Sequence, residues 1–282
     1  MRLTCPRELH RYAFSIVDKD NRMPERVVLS LLSPAELQEV SESGFALLAG
    51  LLTPSQVEAF KSCVDRVRAT RYPASTGDTY RSGRYGGQYL RDLHAYDTES
   101  WPLLMSTPIL GTVRSLLGPR IVMRSYSARV TYPGSMSTTI WHADQRAGIE
   151  PAAPWFTRPR SVTVIVYLDR ADANSGRTFL VPGSHERNEL PDERAAPPDA
   201  IAVEGSPGDA LIFDGSLWHC AGPNHATGGL RRVLNIQFAP SWTRLSNFEQ
   251  IADDALIRDL VRQAEEGGRI DELELLGFGG YM

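Results

Sequence analysis

The sequence predicts a mainly β protein, an antiparallel sandwich or jelly roll braced by helices at its N-terminal end. Three observations predict it. From about residue 121 to residue 240, short and often β-branched runs follow one another, separated by Gly, Pro, Asn or Asp turns. No helix of crossover length separates most of these runs, which disfavours a parallel α/β sheet. The first 120 residues carry a helical period instead.

Taken in order, Ser33-Pro34 and Thr53-Pro54 each set a capping hydroxyl before a proline that suits the first helical position. Residues 56–68 then place Val57, Phe60, Val64 and Val67 at helical spacing, and Thr107-Pro108 repeats the start signal before a helix over 109–117. Between the first two helices, residues 44–48 are short and apolar, which suits a buried strand. Residues 77–89 hold four glycines and little apolar content, so they read as a loop. Strands are expected at 121–132, 136–141, 161–168, 177–181, 209–213 and 233–238. The polar, proline-containing stretches 145–160 and 186–199 read as loops around a cavity mouth. A polar helical tail is expected at 246–266. No internal repeat appears, so residues 1–282 read as one domain: a mostly helical part over 1–120, a jelly-roll core over 121–240 and a helical tail over 241–282.

A chain of 282 residues with 42% hydrophobic and 23% charged residues has the composition of a globular protein with a full core. Its formal charge of −4 argues against a nucleic-acid binder, which would need a clustered basic face, and favours a small-molecule partner. Cys5, Cys63 and Cys220 fit neither a disulfide framework nor a paired zinc motif, which points to a reducing cytoplasm. No apolar run is long enough to cross a bilayer, and no signal-peptide core opens the chain. Oligomeric state is left open.

Of the six histidines, only His142 has a carboxylate two positions later, Asp144. Alone the pair says little, but Trp141-His142-Ala143-Asp144 ends an expected strand, where alternate residues share a face. A third donor must come from another strand, and His219 follows the unit Gly208-Asp209 to Gly215. Two histidines and one carboxylate on one face of an octahedral ion are the arrangement of non-haem Fe(II), whereas zinc more often closes a tetrahedron with Cys or a further His. Twelve residues on, Arg231 starts a strand. A guanidinium inside an apolar barrel is costly unless it meets a carboxylate, which its planar fork suits. Neighbouring strand residues face opposite ways, so only one of Arg231 and Arg232 enters the barrel.

Together Trp141 to Asp144, the run Asn174-Ser175-Gly176-Arg177-Thr178-Phe179-Leu180-Val181-Pro182-Gly183-Ser184-His185, and Gly208-Asp209 through His219 and Asn224 to Arg231 resemble the phytanoyl-CoA dioxygenase family of Fe(II)/2-oxoglutarate oxygenases. The resemblance covers roughly residues 120 to 240. It implies a double-stranded β-helix, iron on His142, Asp144 and His219, and 2-oxoglutarate on Arg231 with help from Thr178. It departs from the family at Ala143, where many members have Gln, and at Ala221, where Ser is frequent.

The implied reaction uses Fe(II), 2-oxoglutarate and O2 to hydroxylate an unactivated C–H bond of a small molecule, a natural product, amino acid or lipid-like acid, releasing succinate and CO2. Desaturation, epoxidation or cyclisation by the same oxidant are alternatives, and a carboxylate at position 144 argues against halogenation. A reading of another class is a non-catalytic jelly-roll module that binds a ligand or metal. His185 competes with His219 as third ligand but is assigned instead to the backbone of its own turn, and His94 and His225 to solvent or loops. Cys220 is read as a buried filler. Trp155, Phe156, Trp218 and Trp242 fit the core better than a substrate pocket. Arg146, Arg158 and Arg160 read as a solvated loop. Specificity is expected in the loops 77–89, 145–160 and 186–199.

Overall fold

The computed structural model describes residues 32–71, 87–135, 139–144, 159–187, 189–225, 229–243 and 255–278, and the backbone of two short strands, β1 (Tyr12–Ala13) and β2 (Leu29–Ser30). Helix α1 (Pro34–Ser43) begins with a reciprocal cap. The Ser33 hydroxyl accepts from the Glu36 N–H at 3.2 Å, and the Glu36 carboxylate accepts from the Ser33 N–H at 2.8 Å. The helix stops at Gly44, whose φ of +84° suits glycine; a Cβ there would also lie 2.6 Å from His185 Nδ1 and Leu217 Cδ1. Strand β3 (Phe45–Leu48) follows, then α2 (Pro54–Arg71), which buries Val57, Phe60, Cys63, Val64 and Val67 as its spacing predicts.

The remaining elements are β4 (Gly87–Leu90), α3 (Leu93–Tyr96), α4 (Ser100–Met105), α5 (Ile109–Leu117), β5 (Ile121–Thr131), β6 (Val162–Tyr167), β7 (Thr178–Leu180), β8 (Ile201–Val203), β9 (Ala210–Asp214), β10 (His219–Ala221), β11 (Arg231–Pro240), α6 (Ala255–Glu266) and α7 (Ile270–Leu275). The major sheet runs β3-β9-β6-β11-β5-β4 and the minor one β10-β7-β8, with every pairing antiparallel. The helices cover one face of the major sheet. Val162, Val164 and Val166 of β6 meet Phe60, Leu104 and Val113 in that core, while Ile165 and Tyr167 turn to the other face with Leu180, Leu211 and Leu217. A six-residue strand buried on both sides is therefore almost wholly apolar.

Two expectations need correction. Within 77–89, Gly87 belongs to β4, which pairs with β5 from Gly87↔Thr131 to Leu90↔Ala128. The glycine serves a close backbone approach, because a Cβ on Gly87 would lie 2.4 Å from the Val130 carbonyl oxygen. Residues 77–86 lie outside the described residues. The strand expected at 136–141 is absent over 139–141, and 136–138 lie outside the described residues. His142 and His219 exchange both backbone hydrogen bonds, at 3.0 and 2.9 Å, but the Thr139 N–H reaches the Ala221 carbonyl one residue out of register with that pair. The slip breaks the ladder. Strand β8 and helices α3, α4 and α7 are further elements that the sequence did not announce. Of the expected tail, 255–266 is helical and 246–254 lie outside the described residues.

Candidate metal centre and its cavity

The single bridge between His142 and His219 puts two imidazoles side by side, with ring centroids 4.2 Å apart. His142 Nδ1 donates to the Ile140 carbonyl at 2.8 Å and His219 Nδ1 to the Leu217 carbonyl at 2.9 Å. Each bond leaves the lone pair on Nε2, and both Nε2 atoms face Asp144: His142 Nε2 is 3.7 Å from Oδ1 and His219 Nε2 is 3.8 Å from Oδ2. Burial, reinforced by the neighbouring His219, holds the His142 pKa down at about 4, so that ring is neutral at pH 7 as a metal ligand must be. The donor atoms of His142, Asp144 and His219 lie within 4.8 Å of one another, close enough to share one ion. Two neutral nitrogens and one carboxylate, with no thiolate, suit a borderline divalent ion such as Fe(II).

Beside this group opens a cavity lined by His142, His219, Thr178, Tyr167, Arg129 and Arg231 among others. Arg231 is 5% exposed. Its Nη1 donates to the Gly176 carbonyl and its Nη2 to the Thr131 hydroxyl at 2.8 Å, while Nε has no hydrogen-bond partner among the described residues. Burial, helped by the charge of Arg129, lowers its pKa to about 10, which leaves it protonated at neutral pH. Arg232 points the other way. It grips Asp169 through Nε at 2.8 Å and Nη2 at 3.0 Å, and reaches Asp65 through Nη1 at 2.7 Å. Of the two neighbours, Arg231 is the one in the barrel. Thr178 lines the same cavity, and its hydroxyl accepts from Tyr167 at 3.0 Å.

The Asn-Ser-Gly turn explains itself here. Gly176 has φ +89°, and a Cβ on it would meet Arg231 Nη1 and the carbonyls of Gly222 and Pro223, each at 2.8 Å. Gly176→Ala is expected to cost about 1–3 kcal/mol from backbone strain alone, and more from displacing the guanidinium. A urea unfolding midpoint equal to that of the wild type would show that the turn tolerates a methyl group.

The other candidates fall elsewhere. His185 has a structural role, but its Nε2 approaches the Ser41 carbonyl at 3.3 Å rather than its own turn, because the turn docks against the end of α1. His94, expected in solvent or a loop, is 4% exposed and packs near the rings of Trp101 and Tyr126, since α3 folds it under the sheet. His225 is exposed. Trp218 and Cys220 are buried with Trp141, Ala143 and Val181. Trp242, expected in the core, is 61% exposed just past the end of β11. Arg160 is half-buried; Arg146, Arg158, Trp155 and Phe156 lie outside the described residues.

Sequence reasoning missed Arg129, Tyr167, Asn235 and Thr163. Arg129 and Asn235 line the cavity. Thr163, fully buried on β6, donates to Asp144 Oδ2 at 2.6 Å. The available clue was the polar residues at 163 and 167 alternating with Ile165 in an otherwise aliphatic strand.

Residues 40–233 match the family described as Phytanoyl-CoA dioxygenase (PhyH), well over half of the chain. The chain belongs to this family. The expectation of this family drawn from the His142, Asn174 and His219 segments holds. The dioxygenase af480 of Aspergillus fumigatus is 31% identical over 182 residues, 63% of this chain but 56% of that protein, so the chain spans little more than half the length of this relative. The ectoine dioxygenase of Nocardia farcinica is 26% identical over 253 residues, covering 74% of this chain and 83% of that one. Among solved structures, the α-ketoglutarate-dependent carbocyclase SnoK from nogalamycin biosynthesis superposes with a TM-score of 0.60 at 20% identity, covering 74% of this chain and 85% of its own. HygX from Streptomyces hygroscopicus, with nickel and 2-oxoglutarate bound, gives 0.59 at 19%, covering 75% and 88%. These likenesses establish the fold, and the expected jelly roll with flanking helices is what the phytanoyl-CoA dioxygenase homologue adopts. No helix among its described residues is long and apolar enough to cross a membrane.

Proposed function

We propose that this phytanoyl-CoA dioxygenase homologue hydroxylates an unactivated C–H bond of a small molecule, using Fe(II), 2-oxoglutarate and O2 and releasing succinate and CO2. His142, Asp144 and His219 hold the iron, and Arg231 with Thr178 holds 2-oxoglutarate. The observation that carries the reading is the pairing of a three-donor cluster with a buried guanidinium across one cavity. When bound, the iron and its co-substrate supply an oxidant strong enough to take hydrogen from carbon. The chain supplies placement. The carbonyls of Ile140 and Leu217 fix both imidazole tautomers, and Gly176 and Thr131 take one N–H from each Nη of Arg231. Three guanidinium N–H groups remain for a carboxylate, which also relieves the cost of a buried cation. The apolar walls formed by Ile165 and Val233 exclude water around the reacting atoms.

The substrate class follows less closely. The fold neighbours include a carbocyclase and an epimerase, so cyclisation, desaturation and epoxidation are alternative outcomes of the same oxidant. In this reading specificity resides in the stretches 77–89, 145–160 and 186–199, within one domain working in the reducing cytoplasm. A non-catalytic binding module is the reading that the retained cluster and Arg231 speak against.

Anaerobic addition of Fe(II) and then 2-oxoglutarate is expected to produce the weak visible charge-transfer band of the chelate in the wild-type protein. In His219→Ala the band is expected to vanish. A wild-type titration without the band, or an undiminished band in the variant, rejects the assignment.

A further inference from the structure

From the Thr163–Asp144 hydrogen bond we infer that Thr163 is a positioning residue for the metal centre: its hydroxyl occupies Asp144 Oδ2 and so turns the carboxylate to offer Oδ1 as a single-oxygen ligand. The inference rests on the reading of His142, Asp144 and His219 as the metal site. It goes beyond that reading by assigning which residue orients the carboxylate.

Asp144 needs such help because of where it sits. The histidines are fixed by their mutual backbone bridge and by carbonyls two residues away, whereas Asp144 lies past the end of that bridge in a segment without regular structure. A carboxylate on such a segment has two rotatable side-chain bonds and two equivalent oxygens. Thr163 stands at the opposite extreme. It is fully buried in the middle of the major sheet, locked by pairing with Phe213 of β9 and Gln237 of β11. Its 2.6 Å bond to Oδ2 is short, as expected for a hydroxyl donating to a charged oxygen.

The same strand face explains the placement. Thr163, Ile165 and Tyr167 point alternately into the space between the sheets, so one rigid strand carries a hydroxyl at the metal end and another, bonded to Thr178, beside the cavity wall near Arg231. At position 163, flanked along the strand by Val162, Val164 and Ile165, a hydroxyl has no packing purpose that valine would not serve better. An Oδ2 already engaged by a donor is also a poor second ligand. Single-oxygen binding leaves three positions of an octahedral ion open beside the two histidines, the number that a chelating co-substrate and dioxygen require.

The test uses Mn(II), a redox-stable stand-in for Fe(II), titrated into the full-length protein without co-substrate. Thr163→Val keeps the shape and removes the hydroxyl; Thr163→Ser keeps the hydroxyl and removes a methyl group. The expected order of Mn(II) affinity is wild type equal to Ser within about threefold, with Val about 10- to 100-fold weaker. A residue that merely packs would give the reverse, with Val at the wild-type level and Ser worse. Should Val fail to fold, Ser against Ala isolates the same hydroxyl, and the same criterion applies. Wild-type affinity in Val, or in Ala, overturns the inference while leaving the metal site standing. Absence of Mn(II) binding in the wild type removes the metal site itself and the inference with it.

Discussion

Asp144→Ala is expected to weaken Mn(II) or Fe(II) binding by more than about 100-fold and to abolish product formation, while the protein remains folded. The magnitude follows from charge. Of the three donors that converge within 4.8 Å, Asp144 supplies the only negative one, and the imidazole of His142 is held neutral. Two neutral nitrogens on a divalent cation lack the charge compensation that a partly buried site needs. Losing an outer partner of a ligand typically costs 10- to 100-fold, so losing the ligand exceeds that range. The fold survives because Asp144 pairs with no strand of either sheet. Its removal leaves one buried acceptor-seeking hydroxyl, on Thr163, at a cost of about 1–3 kcal/mol. Isothermal titration with Mn(II), alongside a thermal melt, separates the two effects. Metal affinity within threefold of the wild type would take Asp144 out of the ligand set.

What the sequence made legible depended on how local each feature is. His142 and Asp144 are two residues apart, and His219 follows a turn-strand-turn unit, so their convergence could be read from strand alternation and family resemblance alone. Alternation required that only one of Arg231 and Arg232 enter the barrel, the resemblance pointed to Arg231, and the opposed directions of the two side chains agree with both. The site's supports were not legible, because each is a long-range pairing. Thr163 meets Asp144 across nineteen residues, and Arg231 meets Thr131 across one hundred, with nothing in either local pattern to link them. Glycine misled in one place for a related reason. Gly87 reads as a loop residue in sequence, but what it answers to is a carbonyl of Val130, 43 positions away, that leaves no room for a Cβ. The strand expected before His142 failed where a one-residue slip against β10 replaced a ladder, and the pattern of one segment does not show where along a distant partner such a slip falls.

Arg231→Ala is expected to raise the 2-oxoglutarate dissociation constant by about 100-fold or more and to leave Mn(II) affinity within about threefold. A carboxylate held by two charge-assisted hydrogen bonds gains about 1.5–3 kcal/mol from each, and a hundredfold loss corresponds to about 2.7 kcal/mol. Alanine also strips the Gly176 carbonyl and the Thr131 hydroxyl of a donor, so stability falls as well, and a lower melting temperature alone would not identify the anchor. Two further variants resolve this. Arg231→Lys keeps the charge but loses the planar fork, so its co-substrate affinity is expected between those of alanine and wild type. Arg232→Ala removes the grip on Asp169 and Asp65 and leaves the partly buried Asp169 carboxylate short of donors, so it is expected to lower stability by about 1–3 kcal/mol without changing the 2-oxoglutarate requirement. The two arginines are thus adjacent in sequence and opposite in consequence, one read by co-substrate affinity and the other by unfolding. If Arg232→Ala raised the co-substrate requirement while Arg231→Ala did not, the buried guanidinium would be a structural strut and the anchor would lie elsewhere in the cavity, with Arg129 the first residue to substitute next.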